Sequence, residues 1–299
     1  MKKLPLVFSG CLLGLAGAGN LILDTLPVLS HLFSLTGLVL WLFFLLLHLF
    51  NWKETKQELT KPPLLSGMAT FPMAGMILST YVFRVFPHFP LVAQGLWWFS
   101  FLLDVALIAG FTIKFAYPGR RVHATPSWTV LYVGIAVAAL TYPLVGIIEI
   151  AYATLSFGFL LTFYLYPLIY SDLKKHPLPL ALLGQEGIYC APFSLLLASL
   201  VRVEGASLPN WVLIIMILAS QSFFFFVLTR LPNILKQGFQ PAFSALTFPT
   251  IITATSLKMA QGILKLPFLD YLVLAETIIC LTILFFVLGA YLIWLRKKV

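Results

Sequence analysis

Apolar and polar positions alternate along the chain on the scale of a membrane. Ten apolar stretches run at about 4–23, 27–51, 63–83, 89–113, 126–146, 148–170, 186–203, 209–230, 239–258 and 270–295, joined by short polar turns. About 20 apolar residues, rising 1.5 Å each, cross some 30 Å of hydrocarbon, so the pattern predicts an all-α membrane protein with ten transmembrane helices. The first stretch imitates a lipoprotein signal, with Lys2 and Lys3 ahead of it and Cys11 after Ser9-Gly10. The run before Cys11 is at the short limit of a signal core of about 7–15 residues, and hydrophobicity continues past it. It is read as the first span.

The ten stretches fall into two kinds. Odd-numbered ones carry the helix breakers: Gly10, Gly14, Gly17 and Gly19, then Gly67, Pro72 and Gly75, then Gly134 and Pro143, then Gly187 and Pro192, and finally Pro249. Even-numbered ones are richer in Leu, Ile, Val and Phe and hold six of the seven tryptophans. Tryptophan favours the membrane interface, whereas a broken backbone needs protein or water to satisfy it. Odd helices are therefore expected inside the bundle and even ones outside. The ninth stretch is the extreme case, with Pro241 and Pro249 among the hydroxyls of Ser244, Thr247, Thr250, Thr253, Thr255 and Ser256. Pro249 reads as a mid-span break whose freed carbonyl must be satisfied from within the protein.

A proline also precedes or opens each odd stretch: Pro5, Pro62, Pro126, Pro179 and Pro241, spaced by 57, 64, 53 and 62 residues. Five two-helix units account for residues 1–299 as one domain. Each unit returns the chain to the same side, so successive units share an orientation and can surround an axis normal to the membrane. Five helical hairpins around a central pore formed by the odd-numbered helices are expected, the alternative being that Gly and Pro serve only helix packing. Gly10, Gly14, Pro72, Gly134, Pro192, Thr247 and Pro249 are the candidate pore-lining or kink positions.

Charge orients the bundle. Of 19 Lys and Arg, 15 fall in one set of turns and only Arg84, Arg202, Lys258 and Lys265 in the other. The positive-inside rule puts both termini in the cytoplasm, and the multi-pass chain is read as a protein of the plasma (inner) membrane. The net charge of +9 then lies beside anionic lipid and calls for no nucleic acid. At 61% hydrophobic and 10% charged, little is left for a soluble domain. The three cysteines and five histidines show no metal-ligand spacing, and no phosphate loop or nucleophile motif is present, so neither an enzyme nor a cofactor is expected.

The sequence resembles the tellurite-resistance/dicarboxylate transporter family, which includes bacterial tellurite-resistance channel homologues, fungal malate and sulfite transporters and plant slow-type anion channels. The resemblance rests on Phe8-Ser9-Gly10-Cys11-Leu12-Leu13-Gly14-Leu15, on Pro62 with Pro72, on Thr125-Pro126-Ser127, on Gly187-Ile188-Tyr189-Cys190-Ala191-Pro192, and on Arg230-Leu231-Pro232 leading to Ala245-Leu246-Thr247-Phe248-Pro249. Two positions depart from the family pattern: Phe243-Ser244 replaces an aromatic pair, and Ala124 replaces a histidine. The resemblance implies five hairpins around a pore in each subunit, a homotrimer, and a pore blocked by the phenylalanine that falls at Phe248. It also implies small anions as substrates: dicarboxylate, sulfite, tellurite, or halide and nitrate. Without that motif Phe248 is one of 27 phenylalanines and reads as a packing residue.

The inner stretches hold almost no ionisable residue in mid-span, whereas proton-coupled carriers place carboxylates in the pathway. Asp104 and Glu276 lie on outer stretches and are expected to be paired or hydrogen-bonded between helices. Uncharged walls with a basic mouth favour anions through the long-range potential. A small-anion channel or channel-like exporter is the first reading. A proton-coupled dicarboxylate carrier is the second, and a pore-less scaffold or intramembrane enzyme the third.

Overall fold

Prolines decide where the helices of this chain begin. Pro27, Pro62, Pro90, Pro241 and Pro267 each open a helix, at a position whose amide has no intrahelical partner to lose. In the computed structural model, which describes residues 4–117 and 121–297, the elements of helix are numerous and no strand is found among the described residues. Lys2, Lys3, Arg120 and Lys298 of the charge map lie outside those residues.

Grouped as continuous rods, the helices are α1 (Leu6–Leu21), α2 (Pro27–Phe50), α3 (Pro62–Val85), α4 (Pro90–Ala116), α5 (Ser127–Leu144), α6 (Ile148–Lys175), α7 (Leu180–Ser207) and α8 (Asn210–Lys236). They are followed by α9, made of Pro241–Leu246 and Thr247–Leu264, and by α10 (Pro267–Lys297). Eight of the ten are long and apolar enough to cross a membrane. The two that fall short are α1, which is apolar but shorter, and α9, whose hydroxyls dilute its apolar character. Both are buried along most of their length, so neither has to satisfy lipid.

Burial separates the two kinds of helix. In α3, α5 and α7, 56–78% of the apolar window is buried, against 22–39% in α2, α4, α6, α8 and α10. Contacts run α1–α3–α5–α7–α9 and from α9 back to α1, closing a ring. Each even-numbered helix packs on the odd helix before it and the odd helix after it, with α10 lying across α9 and α1. The Phe8 ring stands edge-on to Tyr291 with centroids 5.0 Å apart, and the Tyr291 hydroxyl donates to the Pro241 carbonyl. The start of α1, the start of α9 and the end of α10 therefore share one end of the bundle.

The inner helices are not uniform rods. α1 begins with a 3₁₀ turn at Leu6–Phe8, α3 is interrupted between Gly67 and Thr70, and α5 passes through 3₁₀ geometry at Gly134–Ala136. α7 is 3₁₀ over Leu180–Cys190 and α9 over Pro241–Leu246. Irregular backbone at membrane depth is tolerated where protein or a cavity surrounds it. Here a purpose for the prolines emerges that differs from the mid-span break expected of Pro249. Pro72 sits in the first turn of the α-helix that follows the break in α3, and Pro192 and Pro249 sit in the first turn of the α-helix that follows a 3₁₀ stretch. A first-turn amide has no partner, so Pro249 resets the helix without stranding a carbonyl.

Candidate functional site: two cavities on the axis of the ring

Helix α9 is seated on α1 through glycine. A Cβ on Gly10 would stand 2.9 Å from the Ser244 carbonyl oxygen, and one on Gly14 would stand 2.7 Å from Thr247 Oγ1. One on Gly17 would meet both Phe248 Cδ2 and Ile251 Cγ2 at 3.1 Å. Glycines at three- and four-residue spacing thus give α1 a flat face, and backbones approach closely across it. Thr247 Oγ1 crosses the same contact, donating to the Gly10 carbonyl at 2.9 Å. On the other flank of α9, Gly187 of α7 does the same work, since a Cβ there would meet Leu246 Cδ2 at 2.5 Å.

Two cavities lie along the axis of the ring. The first, of about 710 Å³ with its mouth included, is lined by Val7 and Gly10 of α1, Thr70 and Met73 of α3, Ser127 and Gly134 of α5, Gln185 and Pro192 of α7, and Ser244, Phe248 and Pro249 of α9. All five inner helices contribute, through their N-terminal halves, and no charged side chain lines it among the described residues. The second, of about 1540 Å³ with the open space at its mouth included, is lined by the C-terminal halves of the same five helices, including Asn20, Arg84, Thr141, Arg202 and Lys258.

Between them lies a septum. On α3 the first lining ends at Met73 and the second begins at Ile77; on α9 the corresponding residues are Pro249 and Thr255, and on α7 Leu195 and Arg202. Four to seven residues at 1.5 Å rise make it about 6–10 Å thick. Phe248 lines the first cavity at the septum and is only 4% exposed, its ring against Gly17.

A family model described as voltage-dependent anion channel matches residues 3–292, nearly the whole chain. The chain belongs to this anion-channel family. Members of the voltage-dependent anion channel family are channels or transporters of anions, and this member is a multi-pass membrane protein. No curated protein matches the chain.

In this anion-channel chain, Gly10, Gly134, Pro192, Phe248 and Pro249 line the first cavity. Gly14, Pro72 and Thr247 do not: Gly14 and Thr247 fill the α1–α9 contact, and Pro72 is buried in the first turn of the second half of α3. The hydroxyls of Thr250, Thr253, Thr255 and Ser256 return to carbonyls three or four residues earlier, so they satisfy α9 itself. The expected pairing of the outer carboxylates is not found. Asp104 is fully buried with neither oxygen hydrogen-bonded, and Glu276 faces Gln221 of α8 without a hydrogen bond of good geometry. Asp104 on α4 and Glu276 on α10 line neither cavity.

Sequence reasoning missed Gln185, which is 4% exposed and lines the first cavity with Oε1 unpartnered. A lone glutamine in an irregular stretch carries no signal of its own. It also missed Gly17 as the seat of the Phe248 ring, although the spacing of Gly10, Gly14 and Gly17 held that signal.

The motif arginine has a structural place. Arg230 Nε donates to Glu186 Oε2 at 2.9 Å and Nη2 to Oε1 at 3.0 Å, a forked pair that ties the end of α8 to α7. Asp172, near the end of α6, does the equivalent for α5: it pairs with Arg121 at 2.8 Å and accepts from the Ala124 amide at 2.7 Å.

Proposed function

We propose that the chain is a small-anion channel that crosses the membrane ten times and conducts along the axis of its five inner helices. In this reading the two cavities are halves of one conduit, and the Phe248 ring closes it. The observation that carries the reading is that the same five helices line both cavities in the same order, with Phe248 at the septum. A phenyl ring across a narrow conduit makes a dewetted barrier, and an ion passes only when the side chain rotates. Gly17 is the surface off which the ring would turn.

Selection by charge follows from the lining. The walls of the first cavity are uncharged, so an anion is drawn by basic residues at the two ends rather than held by one inside. In this reading both termini are cytoplasmic, because most basic turns share the end where α1 begins and α10 ends, and the membrane is the plasma (inner) membrane. The substrate class carried by the resemblance is dicarboxylate, sulfite, tellurite, or halide and nitrate, and the assembly it carries is a homotrimer. A proton-coupled carrier is the second reading, and the placement of Asp104 and Glu276 away from both cavities weighs against it.

Planar-bilayer recording tests the gate. Phe248→Ala is expected to raise anion conductance by about tenfold or more, the effect of removing about 1.4 kcal/mol of barrier. Unchanged currents from folded Phe248→Ala protein would reject Phe248 as the gate.

A further inference from the structure

The second cavity collects charge that the first lacks. Three of the four basic residues at this end of the bundle, Arg84 of α3, Arg202 of α7 and Lys258 of α9, line it, against a single carboxylate, Asp24. Two of the three cations are tethered to the C-terminal end of α1. Arg84 Nη1 donates to Asn20 Oδ1 at 2.9 Å. Lys258 Nζ donates to the Leu21 carbonyl at 2.9 Å and pairs with Asp24 at 3.1 Å. A helix C-terminus favours cations, so these two are held in place and Lys258 is already partly neutralised.

Arg202 is different. It is exposed in the cavity wall and, among the described residues, makes neither a hydrogen bond nor an ion pair. A guanidinium offers a planar fork of N–H donors that matches the two oxygens of a carboxylate or similar planar oxyanion, whereas a spherical halide can use only its charge. Around it the hydroxyls of Thr80, Thr141 and Thr255 already donate to carbonyls of their own helices, which leaves recognition to the guanidinium.

We propose that the second cavity is an anion-capture vestibule in which Arg202 engages small carboxylates and planar oxyanions in preference to halides. Arg84 and Lys258 supply the fixed field that gathers them. This selectivity role rests on the conduit reading above, but binding at Arg202 does not, and two measurements separate them.

The first is thermal unfolding of the detergent-solubilised protein in sodium formate and sodium chloride at equal ionic strength. A ligand that binds the folded state raises the unfolding midpoint. Formate is expected to raise it above chloride in the parent and not in Arg202→Gln or Arg202→Lys, the second of which keeps the charge and loses the fork. The second is conductance in the Phe248→Ala background. Arg202→Gln is expected to lower formate and chloride currents about twofold at low salt, because one positive charge is lost from the wall of the conduit, with the loss screened at 1 M salt. Arg202→Lys should keep the chloride current and lose only the formate preference. A formate shift equal in parent and both variants would overturn the vestibule, whatever the currents. A formate shift confined to the parent, with no current through Phe248→Ala, would uphold the site and overturn the conduit.

Discussion

At the scale of single residues, the contact between α1 and α9 is set by what is missing from α1. Gly10, Gly14 and Gly17 let α9 approach until Ser244, Thr247 and the Phe248 ring fill the space where side chains would be. Gly14→Ala must push against Thr247, whose hydroxyl is held by the Gly10 and Ser244 carbonyls. Overpacking of this kind costs about 1–3 kcal/mol. A lowered unfolding midpoint is expected for Gly14→Ala and not for Gly289→Ala, where an added methyl meets open space. Equal midpoints would show that the glycine face does not set the contact. The glycines were legible in the sequence as breakers on an odd stretch. Their partners were not, because a glycine does not say which side chain occupies the room it leaves.

At the scale of helices, α3, α7 and α9 are each two pieces, with a proline in the first turn of the second. The alternation of breaker-rich and breaker-poor stretches made the inner and outer sets legible before any coordinates, and burial separates the same sets. What the alternation hid was geometry. Pro249 looked like a defect in a helix, yet with 3₁₀ turns at Pro241–Leu246 ahead of it, it opens a fresh helix. A choice between 3₁₀ and α turns depends on neighbours such as Gly187, which local sequence does not encode. Between helices, the forked Arg230–Glu186 pair fixes α8 to α7. The arginine side chain is 41% exposed and the glutamate 15%, so solvent screens the pair. A double-mutant cycle of Arg230→Ala and Glu186→Ala on detergent stability should give a coupling of about 1 kcal/mol. Zero coupling would reduce the motif arginine to a surface charge.

At the scale of the whole molecule, polar groups are sorted by distance from the axis. Charges occupy the ends, hydroxyls and one glutamine face the first cavity, and the carboxyls of Asp104 and Glu276 are buried and line neither cavity. If conduction runs along the axis, Asp104→Asn and Glu276→Gln should each leave the anion current and its insensitivity to a pH gradient unchanged. Loss of a pH-driven flux in either variant would instead support the carrier. Ring closure by α1, α3, α5, α7 and α9 was foreseeable from parity and repeat length. The division of the axis into two cavities was not, because the septum depends on where the Phe248 ring settles against Gly17.

The conduit itself is tested most directly by anion efflux from liposomes holding only this protein, with Phe248 replaced in turn by Leu, Val and Ala. If the ring is the barrier between the two cavities, efflux rises as the side chain shrinks, lowest with Phe and highest with Ala. The same slow efflux from all four folded proteins would mean that the cavities are not joined through Phe248.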